Sequence, residues 1–273
     1  MDQDAVLGAF NKQIRQHVGP GGAGEVVERE DHVVRVIADG WGGVTWSDLD
    51  PAGADAVIAA QAARFAQLGR SWEWKHYSYD RPADLSERLV AAGLTAEPAE
   101  TLLVAEIADL VLEVPPPPGV ELVPVVDEAG VDAFVQVHRD VFGGDAADPD
   151  VAAGRASAVG RTLLAALAEE IPSNLAVIAW AGGTAVGAGR VELQPGTDFA
   201  SIWGGGTLPA WRGRGVFRAV VAHRAALARA RGFRYLQVDA MPASRPILER
   251  LGFVELATTT PFVHPGDPAT AAG

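Results

Sequence analysis

A weak internal repeat restricts the folds that this sequence can adopt. In the first copy a helix ends at Gly69 and an apolar strand follows at 72–75, and in the second a helix ends at Gly232 and a strand follows at 235–239. A strand–helix–strand–helix order that recurs in both halves predicts a duplicated α/β unit. Two further pairs of segments match between the copies. Trp41-Gly42-Gly43-Val44-Thr45 corresponds to Trp203-Gly204-Gly205-Gly206-Thr207, and Gly93-Leu94 corresponds to Gly252-Phe253.

A run of four prolines separates the two copies. Residues 115–119 read Pro-Pro-Pro-Pro-Gly, which can continue neither a helix nor a strand ladder and favours a short, stiff, extended linker. The 273 residues suffice for two domains of ordinary size. We therefore predict a first domain at 1–114, the linker at 115–119, a second domain at 120–265 and a flexible tail at 266–273.

Composition excludes several classes of protein. The chain has 48% hydrophobic residues, no cysteine and a formal net charge of −13. The acidic charge argues against nucleic acid and anionic lipid as partners, and no uncharged apolar run is long enough to span a membrane. The six histidines show no metal-ligand spacing, so no metal is expected. With no secretion signal at either end, we expect a cytoplasmic protein.

The positive charges are concentrated in one segment. Residues 212–250 contain nine arginines and two acids, a net charge of +7, whereas the rest of the chain carries −20. An arginine-rich helix face exposed to solvent would account for this. A binding site for a multiply phosphorylated small molecule would account for it equally, because arginine offers fixed donors that suit phosphate.

Periodicity and turn residues predict the elements of the second half. Pro209 and the glycines at 213 and 215 precede the longest amphipathic run, and Gly232 stands where a helix cap belongs. Ala181-Gly182-Gly183-Thr184 predicts a hairpin turn. The predicted helices lie at about 127–142, 151–169, 216–231 and 246–251, and the predicted strands at about 175–180, 185–193, 199–207, 235–240 and 253–262.

The loop between strand 199–207 and helix 216–231 is the candidate binding site. It reads Leu-Pro-Ala-Trp-Arg-Gly-Arg-Gly-Val-Phe-Arg over residues 208–218. Unpaired backbone N–H groups at a helix N-terminus attract anions, and glycines let an anion approach the backbone closely. We therefore predict a pyrophosphate site. The segment 19–24 matches G-x-G-x-x-G but follows a helix and contains a proline, and no triphosphatase motif is present.

These motifs resemble the GNAT superfamily of N-acetyltransferases. The segment Thr207–Gly215, the long helix, the strand at 235–240 and Leu251-Gly252-Phe253 carry the resemblance, which covers about 120–262. The first half resembles a degenerate second copy, as in tandem GNAT proteins. The resemblance implies an α/β fold of two GNAT-like units, each with a mixed, mostly antiparallel central sheet flanked by helices. It also implies acetyl transfer from acetyl-CoA, as co-substrate, to a primary amine of a small molecule or peptide.

The resemblance assigns the cofactor contacts residue by residue. Backbone groups at 205–207 would pair with the pantetheine arm, the Leu208 N–H would stabilise the oxyanion, and the amides at 213–218 would hold the pyrophosphate. The turn at 45–55 of the first half has three acids and no Arg-Gly-x-Gly, so we expect one CoA per chain. The predicted cofactor-binding residues are Gly205, Gly206, Thr207, Leu208, Arg212, Gly213, Arg214, Gly215, Val216, Phe217 and Arg218.

The sequence departs from the family where catalytic groups are common. Met241 stands in place of a frequent asparagine, Leu248 in place of a frequent general-acid tyrosine, and Phe217 in place of a small residue. These departures leave open a non-catalytic acyl-CoA-binding or regulatory module, and the sequence also leaves a homodimer open. The candidates for proton transfer are Asp239 and Ser244, followed by Glu192, Asp198, His138 and Asp140.

Overall fold

The computed structural model describes residues 1–19, 25–38, 41–143 and 149–264. Most of the glycine-rich loop at 19–24 and the predicted tail at 266–273 lie outside these ranges. The contacts divide the chain into two compact units. The first unit comprises Met1–Leu103, Asp239–Arg245 and Glu255–Gly273, and the second comprises Val104–Val238 and Pro246–Val254.

The described residues form seven α-helices and twelve strands. The helices are α1 (Gln3–Phe10), α2 (Ala54–Gln67), α3 (Leu85–Ala91), α4 (Glu128–Phe142), α5 (Pro149–Leu167), α6 (Val216–Ala230) and α7 (Arg245–Arg250). The strands are β1 (Val26–Glu30), β2 (Val33–Ala38), β3 (Trp41–Ser47), β4 (Trp72–Tyr77), β5 (Thr95–Ala96), β6 (Glu100–Glu106), β7 (Val120–Pro124), β8 (Asn174–Ala181), β9 (Thr184–Leu193), β10 (Phe199–Thr207), β11 (Tyr235–Ala240) and β12 (Val254–His264).

The first unit contains strands in the order β1-β2-β3-β4-β12. The pairs are antiparallel except for β3 and β4, which are parallel. Helices α2 and α3 cover one face, where the Phe65 ring stacks on Trp72 at 4.8 Å between centroids. Trp74 is fully buried in the same core, beside Leu85 and Leu89 of α3. Burial of these large apolar side chains is the main source of stability for this unit.

The second unit contains strands in the order β11-β10-β9-β8-β7. Strands β7 to β10 pair antiparallel, and β10 pairs parallel with β11. Alternate residues of β8 face opposite sides of the sheet, as expected for a strand. Ile178 packs with Phe134 of α4 on one side, whereas Val177 packs with Val220 of α6 on the other. Helices therefore cover both faces of this sheet.

The predicted duplication is confirmed. Both units contain two parallel strands joined by a helix, β3-α2-β4 in the first and β10-α6-β11 in the second. Both helices are followed by a glycine with positive φ, Gly69 at 61° and Gly232 at 84°. The predicted fold class, an α/β protein of two GNAT-like units with mostly antiparallel sheets, is therefore correct.

The units do not follow the linear division that the prolines at 115–118 predict. Residues 104–114 group with the second unit, and Asp239–Arg245 and the strand residues after Glu255 group with the first. Strand β12 pairs with β4 from Thr259↔Tyr77 to His264↔Trp72. Because this pairing joins residues that are more than 180 positions apart, local composition carries no sign of it. The domain bounds 1–114 and 120–265 and the linker at 115–119 therefore stay predictions.

Candidate functional site

The loop from β10 to α6 has the conformation that its glycines allow. Gly213 and Gly215 adopt φ of 73° and 93°, a left-handed region that disfavours residues with a Cβ. Gly215 is the N-cap of α6 and has no side chain to cap the helix. The first helical hydrogen bond runs from the Ala219 N–H to the Gly215 carbonyl at 3.1 Å. The N-terminus of α6 is therefore left open.

Six successive backbone N–H groups at this helix start lack a partner. From Gly213 to Arg218, none donates a well-formed hydrogen bond to any acceptor in the part of the chain that the structure describes. Together with the helix dipole, which adds about half a positive charge at this end, these groups form an anion-binding cradle. The local geometry therefore suits an anion, and the binding role of residues 213–218 stays a prediction.

Three arginine side chains surround the cradle. Arg212, Arg214 and Arg218 are exposed, and none forms an ion pair with a residue of the described ranges. Arg212 Nε donates to the Thr207 carbonyl at 3.2 Å, and the Arg214 guanidinium lies 4.9 Å from the Trp211 ring centroid. Their charges are available to an anion with several oxygens, such as a pyrophosphate.

The cradle has room for such a group. A Cβ built on Gly213 would meet nothing within 4 Å, and one on Gly215 would meet only Cγ of Pro117, at 4.0 Å. Space, unpaired donors and cations therefore coincide at one place. These residues fit the pyrophosphate of a CoA molecule.

Strand β10 pairs with the parallel strand β11 over its first residues only, and not over the residues that precede this loop. The two strands are paired only from Phe199↔Tyr235 to Ser201↔Gln237, so the residues of β10 from Ile202 onward are not paired with β11. On the opposite edge, β10 pairs with β9. Trp203 is paired with Arg190 and Gly206 with Ala188, so β10 has one extra residue between these pairs, which is a β-bulge. Gly204, at the bulge, has φ of 57°. The bulge and the missing partner expose the backbone of β10 to a ligand.

One backbone donor that the resemblance assigns is already in use. The Leu208 N–H donates to the Val186 carbonyl at 2.9 Å, so it is not free to bind an oxyanion. This corrects the predicted role of Leu208, and the cause is a cross-strand bond that the sequence does not reveal. Nearby, the Thr207 hydroxyl is buried and has no hydrogen-bond partner among the described residues.

Arg224 is a buried cation that the sequence analysis did not single out. It lies on α6 with 1% of its surface exposed, and it donates only to backbone carbonyls. Burial and the nearby Arg190 guanidinium lower the pKa of Arg224 to about 9. The sequence contains a signal for this burial, because Val216, Val220 and Arg224 follow one another at four-residue intervals and so lie on one face of the helix.

The predicted proton-transfer residues Asp239 and Ser244 belong to the first unit, whereas the cradle belongs to the second. Oδ2 of Asp239 lies 3.2 Å from the Lys75 ammonium, and Oδ1 is buried without a partner in the described chain. The Ser244 hydroxyl donates to the Met241 carbonyl at 3.1 Å. Both groups thus have structural partners, and their catalytic roles stay predictions.

The four further candidates divide by environment. His138 lies near Gly204, with Cδ2 3.5 Å from the point where a Cβ of that glycine would stand. Burial and the nearby Arg190 guanidinium lower the pKa of His138 to about 4, so its imidazole is neutral near pH 7. Asp140 is exposed and accepts from Gln136, Glu192 lies 3.5 Å from Arg190, and the Asp198 carbonyl accepts from the N–H groups of Arg234 and Tyr235.

The family's common acid position is apolar in this protein. Leu248 is buried at 1% exposure in α7, and Met241, in place of the frequent asparagine, is half exposed. Neither side chain can donate a proton.

The corresponding turn of the first unit is filled by its own side chain. Oδ1 of Asp50 accepts from the N–H groups of Ala52 and Gly53, at 2.8 and 3.0 Å. These hydrogen bonds lower the pKa of Asp50. Two of the donors at the start of α2 are therefore already satisfied by a carboxylate.

The described residues contain neither a membrane-spanning helix nor a metal-ligand cluster. Across residues 1–19, 25–38, 41–143 and 149–264, no helix combines the length and apolar character that crossing a membrane requires. Within the same ranges no three metal-ligating side chains are grouped in a way that could hold an ion.

Comparison with known proteins gives one family and a set of similar folds. Residues 150–253 match the model of the acetyltransferase (GNAT) family. A GCN5-related N-acetyltransferase from Kribbella flavida is 19% identical, with a TM-score of 0.67, over 97% of this chain and 95% of that one. A functionally unknown conserved protein from Staphylococcus epidermidis is 13% identical, with a TM-score of 0.66, over 95% and 100%.

A tandem arrangement is also found among solved structures. A tandem GNAT protein from the clavulanic acid biosynthesis pathway is 12% identical, with a TM-score of 0.57, over 92% of this chain and 86% of that one. A comparison with curated protein sequences gives no match. The similarity to solved structures concerns the fold, and the sequence match concerns the second half. Residues 150–253 are thus a domain of the acetyltransferase (GNAT) family, within a chain that folds as two GNAT-like units.

Proposed function

We propose that this protein transfers an acyl group, acetyl in the simplest case, from an acyl-CoA to a primary amine of a small molecule or peptide. One observation carries the proposal: within the described residues, six successive N–H groups at 213–218 have no acceptor at the start of α6, beside three exposed arginines that form no ion pair there. That is a site for the pyrophosphate of CoA. The match of this segment to the acetyltransferase family supports the same assignment.

The reaction is a direct acyl transfer. The amine nitrogen attacks the thioester carbonyl, a C–N bond forms, and the C–S bond breaks to release CoA as a thiolate. The ammonium form of the acceptor must lose its proton before the attack, and the thiolate takes up a proton afterwards. Because residue 248 is a buried leucine, we assign the second proton to solvent rather than to a side chain.

The chain's own contribution is positioning. The amides at 213–218 would hold the pyrophosphate, and the backbone of β10 at 205–207, which is not paired with β11, would align the pantetheine arm next to the acceptor. Bringing the two reactants together in one orientation can by itself supply a large part of a rate enhancement. This mode of catalysis does not require the general acid that the sequence lacks.

We propose a single CoA site per chain, in the second unit. In the first unit the Asp50 carboxylate already accepts from two of the corresponding amides, and a phosphate there would meet its negative charge. A net charge of −13 favours a cationic acceptor through electrostatic steering.

Calorimetric titration with acetyl-CoA tests the proposal directly. We expect binding with one molecule per chain, and affinity that falls as ionic strength rises, because charged groups make the main contacts. Two molecules per chain would contradict the single site. The absence of any binding by acetyl-CoA and by free CoA would overturn the assignment of the cradle.

A non-catalytic CoA-binding module is the second candidate. Two observations favour it: the Leu208 N–H is used by Val186, and residue 248 carries no acid. Mass spectrometry of reactions between acetyl-CoA and a panel of primary amines separates the candidates. An acylated amine formed at rates above the uncatalysed control identifies an enzyme, whereas binding without turnover over a broad panel identifies a module.

A further inference from the structure

Arg224 has the properties of a ligand-binding group rather than of a structural one. Its guanidinium is buried, and it forms no ion pair with any residue that the structure describes. Of the charged groups in the described residues, Arg190 affects Arg224 most, and it repels it. A buried charge is normally paired because it is costly without a counter-charge, so an anionic ligand would compensate Arg224.

The hydrogen bonds of Arg224 leave one terminal nitrogen unused. Nε donates to the Val220 carbonyl at 3.2 Å, and Nη1 donates to the carbonyls of Arg190 and Trp203 at 3.1 and 3.3 Å. Nη2 donates to no acceptor of the described chain. The bulge between β9 and β10 explains why two carbonyls need a donor here. A neutral donor would satisfy them as well, so they do not explain the positive charge.

The unused nitrogen faces the part of β10 that is not paired with β11. Nη2 lies 2.9 Å from the point where a Cβ of Gly205 would stand, and the Phe217 ring lies 3.3 Å from the same point. On the neighbouring strand, a Cβ on Gly189 would lie 2.7 Å from the guanidinium carbon. A Cβ at either position would force the guanidinium to move, so the two glycines leave the space that it occupies.

Arg224 is also placed suitably along the helix that begins at the cradle. It follows Gly215 by nine residues, which corresponds to about 13 Å along α6. The family resemblance assigns the pantetheine arm to residues 205–207, and Gly205 is the residue that Nη2 faces. The acyl end of a CoA thioester held by the cradle would therefore come to the same place as Arg224.

We propose that Arg224 binds a carboxylate of a substrate at the bulge of β10, and so selects an acyl-CoA with a carboxylate-terminated acyl group or a carboxylate-bearing amine acceptor. This inference rests on the proposed function, because it needs a CoA thioester in the second unit. A carboxylate can accept a charge-assisted hydrogen bond from the free Nη2 and cancels the charge of the guanidinium. An acetyl group carries no charge and cannot compensate it.

Donor selectivity of the unaltered protein is the first test. Calorimetry with succinyl-CoA, acetyl-CoA and free CoA should show succinyl-CoA binding at least tenfold more tightly than acetyl-CoA. The Arg224→Gln variant retains an N–H donor for the bulge carbonyls but loses the charge, and it should reduce that ratio to below threefold. Arg229→Gln removes an exposed arginine from the same helix and should leave the ratio unchanged.

The acceptor is the second possible source of the carboxylate. If succinyl-CoA and acetyl-CoA bind equally, the CoA complex is titrated with alanine and with alaninamide, which differ only in the carboxylate. At least tenfold tighter binding of alanine that is lost in Arg224→Gln assigns the carboxylate to the acceptor. The same comparison on the unaltered protein remains decisive even if the variant does not fold.

Two results would overturn the inference about Arg224, and only one of them would also overturn the proposed function. If CoA binds but neither comparison shows a carboxylate preference, Arg224 serves only the bulge, and the proposed function is unaffected. If no CoA species binds, the proposed function fails together with the inference.

Discussion

Nζ of Lys75 lies 3.2 Å from Oδ2 of Asp239 and 2.8 Å from a carboxylate oxygen of Glu100. Asp239 has 4% of its side chain exposed. Burial by itself lowers the pKa of Lys75, but Asp239 and Glu100 outweigh it and raise the pKa well above its usual value. The residue that the sequence predicts as a base is therefore a partner in a buried ion pair.

Asp239→Asn should consequently affect stability first. Lys75 would keep only Glu100 as a partner, and we expect the free energy of unfolding to fall by about 1–3 kcal/mol in urea titrations. Asp140→Asn, which alters an exposed carboxylate, serves as the control. A variant of Asp239 that is as stable as the unaltered protein but a hundredfold slower in acyl transfer would instead identify Asp239 as the catalytic base.

Gly215→Glu should abolish CoA binding while the fold survives. The new side chain brings a carboxylate to the six unpaired N–H groups, and its Cβ disfavours the φ of 93°. We expect affinity for CoA to fall by at least a hundredfold in calorimetry. Gly232→Glu is the matched control, because it adds the same charge at a φ of 84° beyond the other end of α6. Equal affinities for CoA in the two variants would refute the assignment of the cradle.

The pair of Arg15 and Asp80 should contribute strongly to the stability of the first unit. Two parallel hydrogen bonds of 2.7 and 2.8 Å join the side chains, and both are 2% exposed. Arg15→Gln leaves a buried carboxylate without its counter-charge, and we expect a loss of about 3–5 kcal/mol by urea unfolding.

The control for this pair is Arg88→Gln. Arg88 pairs with Asp55 and Asp84, whose carboxylates are well exposed. Solvent screens such pairs, so the loss of stability should be much smaller than for Arg15→Gln. Similar losses in the two variants would show that burial does not set the strength of the first pair.

His138 should make the protein sensitive to acid. Its pKa is about 4 in the folded protein and near 6.5 when exposed, so the unfolded chain takes up the proton first as pH falls. The stability that neutral His138 contributes is therefore complete above pH 6.5 and is lost as pH falls towards 4.

The variant His138→Gln removes this titration. The loss of stability between pH 7 and pH 5, measured by urea unfolding, should be smaller by about 1–2 kcal/mol than in the unaltered protein. His32→Gln, at an exposed position, should leave that loss unchanged. An unchanged loss in His138→Gln would mean that the imidazole is protonated in the folded protein at pH 5.

Local sequence signals determined the elements and the glycine conformations of the loop before α6. Helix α6 was predicted at 216–231 and lies at Val216–Ala230, and strand β10 was predicted and found at 199–207. Helical and strand periodicity, and the need for glycine at positive φ, involve residues within a few positions of each other. The duplication was visible for the same reason, since each copy repeats these local patterns.

Long-range contacts decided what the site can do. The bond from Leu208 to Val186, the pairing of Asp239 with Lys75 and the burial of Arg224 each join residues at least 20 positions apart. Whether a donor is free, or a charge is compensated, depends on which groups the fold brings within about 3–4 Å. Local sequence thus predicted the loop that we propose for a CoA pyrophosphate, and only the tertiary structure decided which of the described groups remain free to meet the rest of a substrate.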